Sequence, residues 1–492
     1  MVVCGKIKED DFIIRGEYMQ ISKTNIVLLF ISVFIIGFLG TYYGTKITET
    51  EVIETNQSHI NTQSIDNIDK VEQAYSLIDQ HYIEDVEGDE LIEGAIQGML
   101  NTLDDPYSTY MNEQATENFN EQIESSFQGI GTEVSMVDGK VTIIAPIKDS
   151  PAEKAGLKPN DQIIKVDDEK LEGLDLTEAV EKIRGEAGSK VKLSIMRGEK
   201  NFEVELTRDD IPVETVYAST KDIDGKKTGI IEITSFSEDT STDFKKELTK
   251  FEETEIDGLI IDVRGNPGGL LDSVEDMLME FIPKNTPYLQ IEDSEGEKEL
   301  FYSELANKKE YPISVLIDEG SASASEILAV ALKEVGYNVI GTNSFGKGTV
   351  QQAVPLGKDG MIKLTFFKWL SPEGNWIHEK GVKPTKEVKQ PDYYYSHPIQ
   401  VEKPFKLDQS DENIKTSQIM LDGLGYKIER KDGYFDHQTA LSIEKFQKKH
   451  SLKVTGELDK QTANTLELEI MQRIKDGKDD LQMKAALESL YK

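Results

Sequence analysis

Three short segments of this chain hold residue types that can make and break covalent bonds. Asp318-Glu-Gly-Ser-Ala-Ser-Ala-Ser-Glu326 follows an apolar strand-like run and opens an amphipathic helix. A serine there sits among the unpaired N–H groups of a helix start, which stabilise a developing oxyanion; the same serines also make an ordinary N-cap. Gly341-Thr-Asn-Ser-Phe-Gly-Lys-Gly-Thr-Val-Gln351 sets a lysine among glycines. Taken out of water, that lysine loses affinity for its proton and can serve as a general base; on a solvated loop it is a surface cation. Asp262-Val-Arg-Gly-Asn-Pro-Gly-Gly269 ends a second apolar strand. Its glycines let backbone amides approach a substrate closely, as an oxyanion donor or simply as a turn.

Other chemistries fit less well. The lysine loop resembles a phosphate-binding Gly-x4-Gly-Lys-[Ser/Thr] sequence, but Gly348 stands where a hydroxyl would hold magnesium, and a strand-like run, Thr349–Val354, follows where a helix is needed. The six histidines, at 59, 81, 378, 397, 437 and 450, form no Ser-His-Asp or His-Glu-x-x-His pattern and read as surface or structural residues. No metal site and no cofactor are expected.

In their order along the chain, the three segments resemble those of the carboxyl-terminal processing peptidases. That family carries an Arg-x-Asn-Pro-Gly-Gly turn, a Ser-Ala-Ser-Ala-Ser-Glu nucleophile segment and a Phe-Gly-Lys-Gly-x-x-Gln loop. The resemblance covers roughly residues 68–388, including Asp105-Pro-Tyr-Ser-Thr-Tyr110 and Ser371-Pro-Glu-Gly through Lys380-Gly-Val-Lys-Pro384. It implies Ser323 as nucleophile, Lys347 as general base and Gln351 as the residue orienting the lysine. The oxyanion hole it implies is made by the backbone N–H of Ala324 with that of Gly268 or Gly269. The serine–lysine spacing is 24 residues where the family commonly has 25, a difference placed in the loop Glu334-Val-Gly-Tyr-Asn338. Glu334 is the counterpart of an acidic residue sometimes included in the family's site, and no direct role is expected for it.

Positioning these segments requires a folded core on either side of them. Residues 212–395 alternate apolar strands with helices, among them Gly258–Val263, Ser314–Ile317 and the helix Ala324–Val335. Continuous apolar strands between helices predict a sheet covered on both faces. Residues 117–207 read as a β-rich unit with strands at Gly131–Met136, Val141–Ala145, Gln162–Val166, Val191–Met196 and Phe202–Leu206, and a helix at Leu176–Ile183. This unit resembles a PDZ domain. The likeness implies that Gly129, Ile130 and Gly131, in Phe127-Gln-Gly-Ile-Gly131, hold a peptide carboxylate while the peptide adds as a strand. Arg184 is a candidate sensor of bound peptide. Residues 413–467 resemble the small helical peptidoglycan-binding domain through Gln418, Asp432-Gly-Tyr-Phe, Thr439, Phe446-Gln, Thr455-Gly and Thr462.

Residues 24–45 carry no charge, long enough to span a bilayer, and Lys23, Arg15, Lys8 and Lys6 precede them. The pattern predicts a single-pass anchor with a cytoplasmic N-terminus and everything beyond Lys46 outside the membrane. A cleaved signal peptide, or a start at Met19, are the alternatives. The lone cysteine, Cys4, falls on the cytoplasmic side and rules out an intramolecular disulfide. With 91 acidic against 55 basic residues the net charge is −36, which disfavours nucleic acid as a partner.

The expected architecture is therefore a multidomain α/β chain. A head and transmembrane helix (1–46) and a tether (47–67) lead to an N-terminal helical part of the protease (68–116). A PDZ-like domain (117–208), an α/β protease core (209–395), a linker (396–412), a peptidoglycan-binding-like unit (413–467) and a last helix (468–492) follow. The expected function is endoproteolysis outside the cytoplasmic membrane on proteins with free C-termini. The alternative is a catalytically silent wall scaffold. Peptidoglycan is an expected partner, and helices at 68–100 offer a surface for a second copy.

Overall fold

A computed structural model describes residues 68–137, 139–357 and 360–491. The expected membrane anchor, the tether and Cys4 lie outside these residues. Among the described residues, no helix is long and apolar enough to cross a membrane. The chain divides into two compact units, Met1–Ile92 and Glu93–Lys492. Helix Ile68–His81 belongs to the first, and helix Gly88–Asn101 begins there.

In the second unit the PDZ-like module is built on the strands Thr132–Val137, Lys140–Pro146, Gln162–Val166, Lys190–Arg197 and Lys200–Thr207, close to the predicted runs. Alternate residues of these strands, such as Val191, Leu193 and Ile195, turn inward on a core that includes Ile143, Ile163 and Ala179. Helix Leu176–Ile183 starts where the sequence says it should. Asp175 and Glu178 close a capping box over its first turn.

The α/β core is a six-stranded sheet in the order Val216–Ile223, Lys226–Ile233, Gly258–Asp262, Ile313–Ile317, Asn338–Gly341, Lys386–Glu387. All but the first pairing are parallel. Gly258–Asp262 and Ile313–Ile317 are buried at every residue, as their unbroken apolar character requires. Ile231, Leu259, Ile261, Val315 and Val339 face helices Thr240–Glu253, Leu271–Leu278 and Ala324–Glu334. Their neighbours Ile230, Ile260, Leu316 and Ile340 point the other way. That face is covered by Ala485, Ala486, Leu487 and Leu490 of helix Leu481–Leu490. Both faces are thus covered, one of them by the last helix of the chain.

A second sheet pairs Gly360–Leu370 with Thr109–Asn112, Pro287–Glu292 and Thr349–Leu356, and Pro287–Glu292 with Lys298–Tyr302. Of these only the Thr349 strand is legible in the sequence. The others are half-exposed and of mixed polarity, and lack an apolar run.

The C-terminal unit packs helices Glu412–Gly423, His437–Lys449 and Lys460–Lys475 around Leu421, Phe435, Ile443, Phe446 and Leu466. Two buried glutamines hold it. Gln418 donates to the Tyr434 carbonyl and to Thr439 Oγ1, and Gln447 donates to the Glu457 carbonyl and to Thr462 Oγ1. The sequence features that single out this unit are therefore largely its internal hydrogen bonds. Two expectations need correction here. The stretch from Leu468 onward is the end of helix Lys460–Lys475 and then a separate helix, Leu481–Leu490, because Gly477 at φ 62° breaks the run. The segment 396–412 is no free linker, since Ile399 is buried in the C-terminal core and Val401 and Phe405 pack against it.

Candidate active site

Ser321, Ser323 and Ser325 leave the strand Ile313–Ile317 and enter helix Ala324–Glu334. The three have different surroundings. Ser321 is fully buried and its hydroxyl donates to the Val263 carbonyl at 2.7 Å. Ser325, also fully buried, donates to the Asn266 carbonyl at 2.9 Å. Both hydroxyls fasten the serine segment to the glycine turn. Ser323 alone of the three lines a cavity of about 410 Å3. Its backbone is strained, at φ 54° and ψ −113°. A non-glycine residue in that region costs about 1–3 kcal/mol, and such strain marks positions that present a side chain at a sharp strand-to-helix turn.

The same cavity is lined by Ala324, Gly268, Gly269, Lys347 and Gln351, so all six predicted protease-site residues meet there. The glycine turn approaches closely. A Cβ on Gly268 would lie 2.9 Å from Ser323 Cβ and 3.0 Å from Ala324 N, and one on Gly269 would lie 2.1 Å from the Phe236 carbonyl oxygen. Only glycine fits at either position. The two glycines differ in what their N–H groups do. Gly268 N–H donates to Asn266 Oδ1 at 2.8 Å. Gly269 is bracketed by hydrogen bonds of its neighbours, Phe236 N–H to the Gly268 carbonyl and Leu270 N–H to the Phe236 carbonyl. That parallel bridge turns Gly269 N–H away from Phe236. Among the described residues the amides of Ala324 and Gly269, unlike that of Gly268, have no hydrogen-bond partner.

Lys347 is half-buried. Burial, reinforced by the nearby positive charge of Lys363, brings its ammonium down to about 8, against the pull of Asp105 and Glu326. Its Nζ lies 4.9 Å from the centre of the Tyr107 ring. Gln351 stands on the strand Thr349–Leu356 that follows the lysine loop, but its amide donates to Thr349 Oγ1 and Thr365 Oγ1, both at 3.0 Å. Among the described residues no hydrogen bond joins it to Lys347. Its connection runs through Thr365, whose hydroxyl donates to Asp105 Oδ2 at 2.6 Å, an oxygen that Ser108 also bonds. Burial pushes the Asp105 carboxyl up, but these bonds and one from Tyr107 N–H hold it below the usual carboxylate range.

In the sequence Glu326 only ends the serine motif, and nothing there gives it a role. It is fully buried. Its Oε2 accepts the backbone N–H groups of Ser323 at 2.9 Å and Lys347 at 2.8 Å; Oε1 accepts Ser344 Oγ at 2.6 Å and Gly346 N–H at 2.7 Å. One carboxylate therefore ties the serine turn to the lysine loop. Glu334 lies apart and accepts from Glu373 N–H and Asn375 Nδ2.

A second cavity, of about 810 Å3, lies between helix Glu113–Ile123, strand Ser126–Gly129 and helix Leu176–Ile183. Arg184 lines it, ion-paired with Glu121 and set over the Phe127 ring at 5.1 Å. A Cβ on Gly129 would lie 3.9 Å from Arg184 Cγ, so the two are adjacent. Ile130 is buried, and the carbonyls of Ile130 and Gly131 accept from Ala152 and Ile147. Helix Glu113–Ile123 lines both cavities. Phe119, Gln122 and Ile123 face the serine–lysine cavity, while Glu117, Asn118 and Glu121 face the Arg184 groove. Among the described residues no cluster of histidine, cysteine or carboxylate side chains could hold a metal.

The family described as Peptidase family S41 matches residues 227–388. Matches to the activating protease CtpB N-terminal domain (34–115), a PDZ domain (128–207) and a putative peptidoglycan binding domain (410–466) flank or follow it. The chain is 49% identical over 462 residues to the carboxy-terminal processing protease CtpB of Bacillus subtilis, covering 92% of this chain and 96% of that one. It is 42% identical to CtpA of the same organism, covering 86% of this chain and 90% of that one. A probable CtpA-like serine protease of Staphylococcus saprophyticus is 36% identical, with 88% of each covered.

Proposed function

The chain belongs to peptidase family S41 and is a serine-type carboxy-terminal processing peptidase, and from that premise we propose that Ser323 and Lys347 are its catalytic pair. The observation carrying this reading is the single cavity that gathers Ser323, Lys347 and the unpaired amides of Ala324 and Gly269. In the proposed reaction, Lys347 in its neutral form takes the Ser323 hydroxyl proton as Oγ attacks the scissile carbonyl. The oxyanion is held by Ala324 and Gly269. The lysine then delivers its proton to the leaving amine, which leaves an acyl-enzyme for water to hydrolyse. Lysine's depressed proton affinity, from about 10.4 in water to about 8, supports a base that is partly neutral near physiological pH. Gln351 is assigned to the far end of the Thr365–Asp105 network, where it shapes the lysine's surroundings.

Substrate selection is assigned to the PDZ-like module, with residues 117–208 as its proposed extent. A C-terminal carboxylate would meet the backbone at Gly129, Ile130 and Gly131, beside Arg184. Helix Glu113–Ile123, shared by groove and cavity, supports a coupling in which peptide competes for Arg184 and frees Glu121. Membrane anchoring by residues 24–45, wall binding by the C-terminal unit and a reaction outside the cytoplasmic membrane are further parts of this proposal. A second copy docking through the helices at 68–100 belongs to the same proposal.

The test is proteolysis of an unstructured protein by the fragment from residue 47 onward, compared with Ser323→Ala and Lys347→Ala. Both variants should fold and lose cleavage. Cleavage that survives either substitution overturns the pair. Deleting 117–207 should alter cleavage of substrates with free C-termini, and unchanged kinetics on every substrate would remove the coupling.

A further inference from the structure

The chain has two tryptophans, and both donate to successive backbone carbonyls of the lysine loop. Trp369 Nε1–H donates to the Lys347 carbonyl at 2.9 Å. Trp376 Nε1–H donates to the next carbonyl, that of Gly348, at 2.8 Å. His378 completes the arrangement by accepting the Gly348 N–H on Nδ1 at 3.2 Å. On the other side Glu326 takes the N–H groups of Gly346 and Lys347. The N–H and carbonyl of both Lys347 and Gly348 are therefore each held by a side chain. A loop without regular secondary structure is pinned as firmly as a strand.

The rings also fit one another. Trp376 and His378 stack at 4.9 Å with 12° between their planes. Tyr107, whose ring carries Lys347 Nζ, meets His378 edge-on at 6.2 Å. A Cβ on Gly348 would lie 2.8 Å from Trp376 Nε1 and 2.8 Å from His378 N. Glycine at 348, the residue that spoils the likeness to a phosphate loop, is what lets the rings reach the backbone.

We propose that Trp376 and His378 are positioning residues for the general-base lysine. They fix the Lys347–Gly348 peptide so that the ammonium stays in its half-buried seat over Tyr107. The inference rests on the assignment of Lys347 as the base. His378 must act as a neutral ring with its proton on Nε2, because a protonated Nδ1 cannot accept from Gly348 N–H. The groups around it are the Tyr107 and Trp376 rings and the carboxylates of Asp105 and Glu379; Lys368, over the Trp376 ring, pairs with Glu292. Burial is the main cause of the lysine's low proton affinity. Loosening the cradle admits water to Nζ and moves the lysine back toward its ordinary range of about 10.4.

The experiment measures kcat and KM across pH for the full chain, with His378→Ala, His378→Asn and Trp376→Phe. His378→Ala and Trp376→Phe should lower kcat about tenfold or more at pH 7.5 with KM little changed, and raise the pH midpoint of kcat/KM by roughly half a unit or more. Asparagine places an amide oxygen near the lost Nδ1, so His378→Asn should restore most of the wild-type midpoint. Variants that melt earlier but keep the wild-type midpoint and kcat would overturn the proposal and leave a merely structural role. So would His378→Asn behaving no better than His378→Ala. Lys347→Ala, run in parallel, separates the two assignments. If it stays active, the base itself is misassigned; if it is dead while the cradle variants are unaffected, only the cradle fails.

Discussion

The carboxylate of Glu326 accepts the backbone N–H of Lys347 at 2.8 Å, across 21 positions of sequence. Its other bonds go to Ser323 N–H, Gly346 N–H and the Ser344 hydroxyl, so the distance between serine and lysine is set by one buried side chain. Four donors converge on two oxygens. Glutamine keeps the shape but replaces one of those oxygens with a donor that faces N–H groups.

Glu326→Gln should therefore cost about 2–4 kcal/mol of stability and lower kcat by about 10²-fold or more, with KM changing less. Thermal melts and single-turnover cleavage would read the two effects separately. A variant with full kcat would show that the lysine loop holds its place without the clamp.

Much of this arrangement is legible in the sequence, and the reason it is only partly so is physical. Ser323, Lys347 and the glycine turn announce themselves because strained and closely packed backbone needs particular residues at fixed offsets. The apolar strands of the parallel sheet are equally plain. Glu326 is not, since a glutamate in the first turn of a helix is expected for its dipole alone, and nothing in the spacing says that its partners lie about 20 residues on. Thr365, Lys363 and Trp369 belong to a strand, Gly360–Leu370, with no unbroken apolar run to mark it. Pairing with Thr349–Leu356, Thr109–Asn112 and Pro287–Glu292 brings them to the site. The three serines, equivalent in sequence, are told apart by where their hydroxyls go.

With Lys347 as the proposed base and its ammonium at about 8, activity should rise with pH through that value, because only the neutral amine can accept the serine's proton. Lys363 is the second cause of the depression, after burial. Lys363→Met removes a like charge, so the midpoint of kcat/KM should move upward, by a few tenths to about one unit. A pH profile of kcat/KM checks this. A downward shift would mean that Lys363 does not act on Lys347 through charge.

The same burial has a stability consequence of definite sign. A lysine whose folded-state affinity for a proton is lowered destabilises the fold wherever both states would be protonated, that is, below about 8. Between about 8 and 10.4 the unfolded chain binds more protons than the folded one, so stability rises with pH across that window. Lys347→Met should be inactive and, at pH 7, more stable by about 2 kcal/mol. The advantage should shrink as pH rises toward 10. Chemical denaturation at pH 7 and 9.5 measures both. A methionine variant no more stable than wild type at pH 7 would place the ammonium in water.

Arg264 opens the glycine turn and is gripped from two directions. Asp262 bonds it at 2.6 and 2.8 Å, and Asp480, just before the last helix, at 2.9 and 3.0 Å. Asp480 also receives Gln390 Nε2 at 2.7 Å and caps the helix that covers Ile230, Ile260, Leu316 and Ile340. The last helix is thus fastened to the turn that carries Gly268 and Gly269. Burial pushes the Asp480 carboxyl up, but its bonds with Arg264 outweigh that and hold it below its ordinary range. A carboxylate depressed in the folded state stabilises above its unfolded value, near 3.9, and the stabilisation disappears as pH falls through the folded value. Asp480→Asn should cost about 1–3 kcal/mol at pH 7, with the difference from wild type narrowing below about pH 4. Because Arg264 keeps Asp262, the turn should loosen without collapsing, and kcat should fall severalfold with the wild-type pH midpoint retained. That combination separates a weakened oxyanion turn from a displaced lysine. A shifted midpoint would mean that the last helix acts on Lys347 instead.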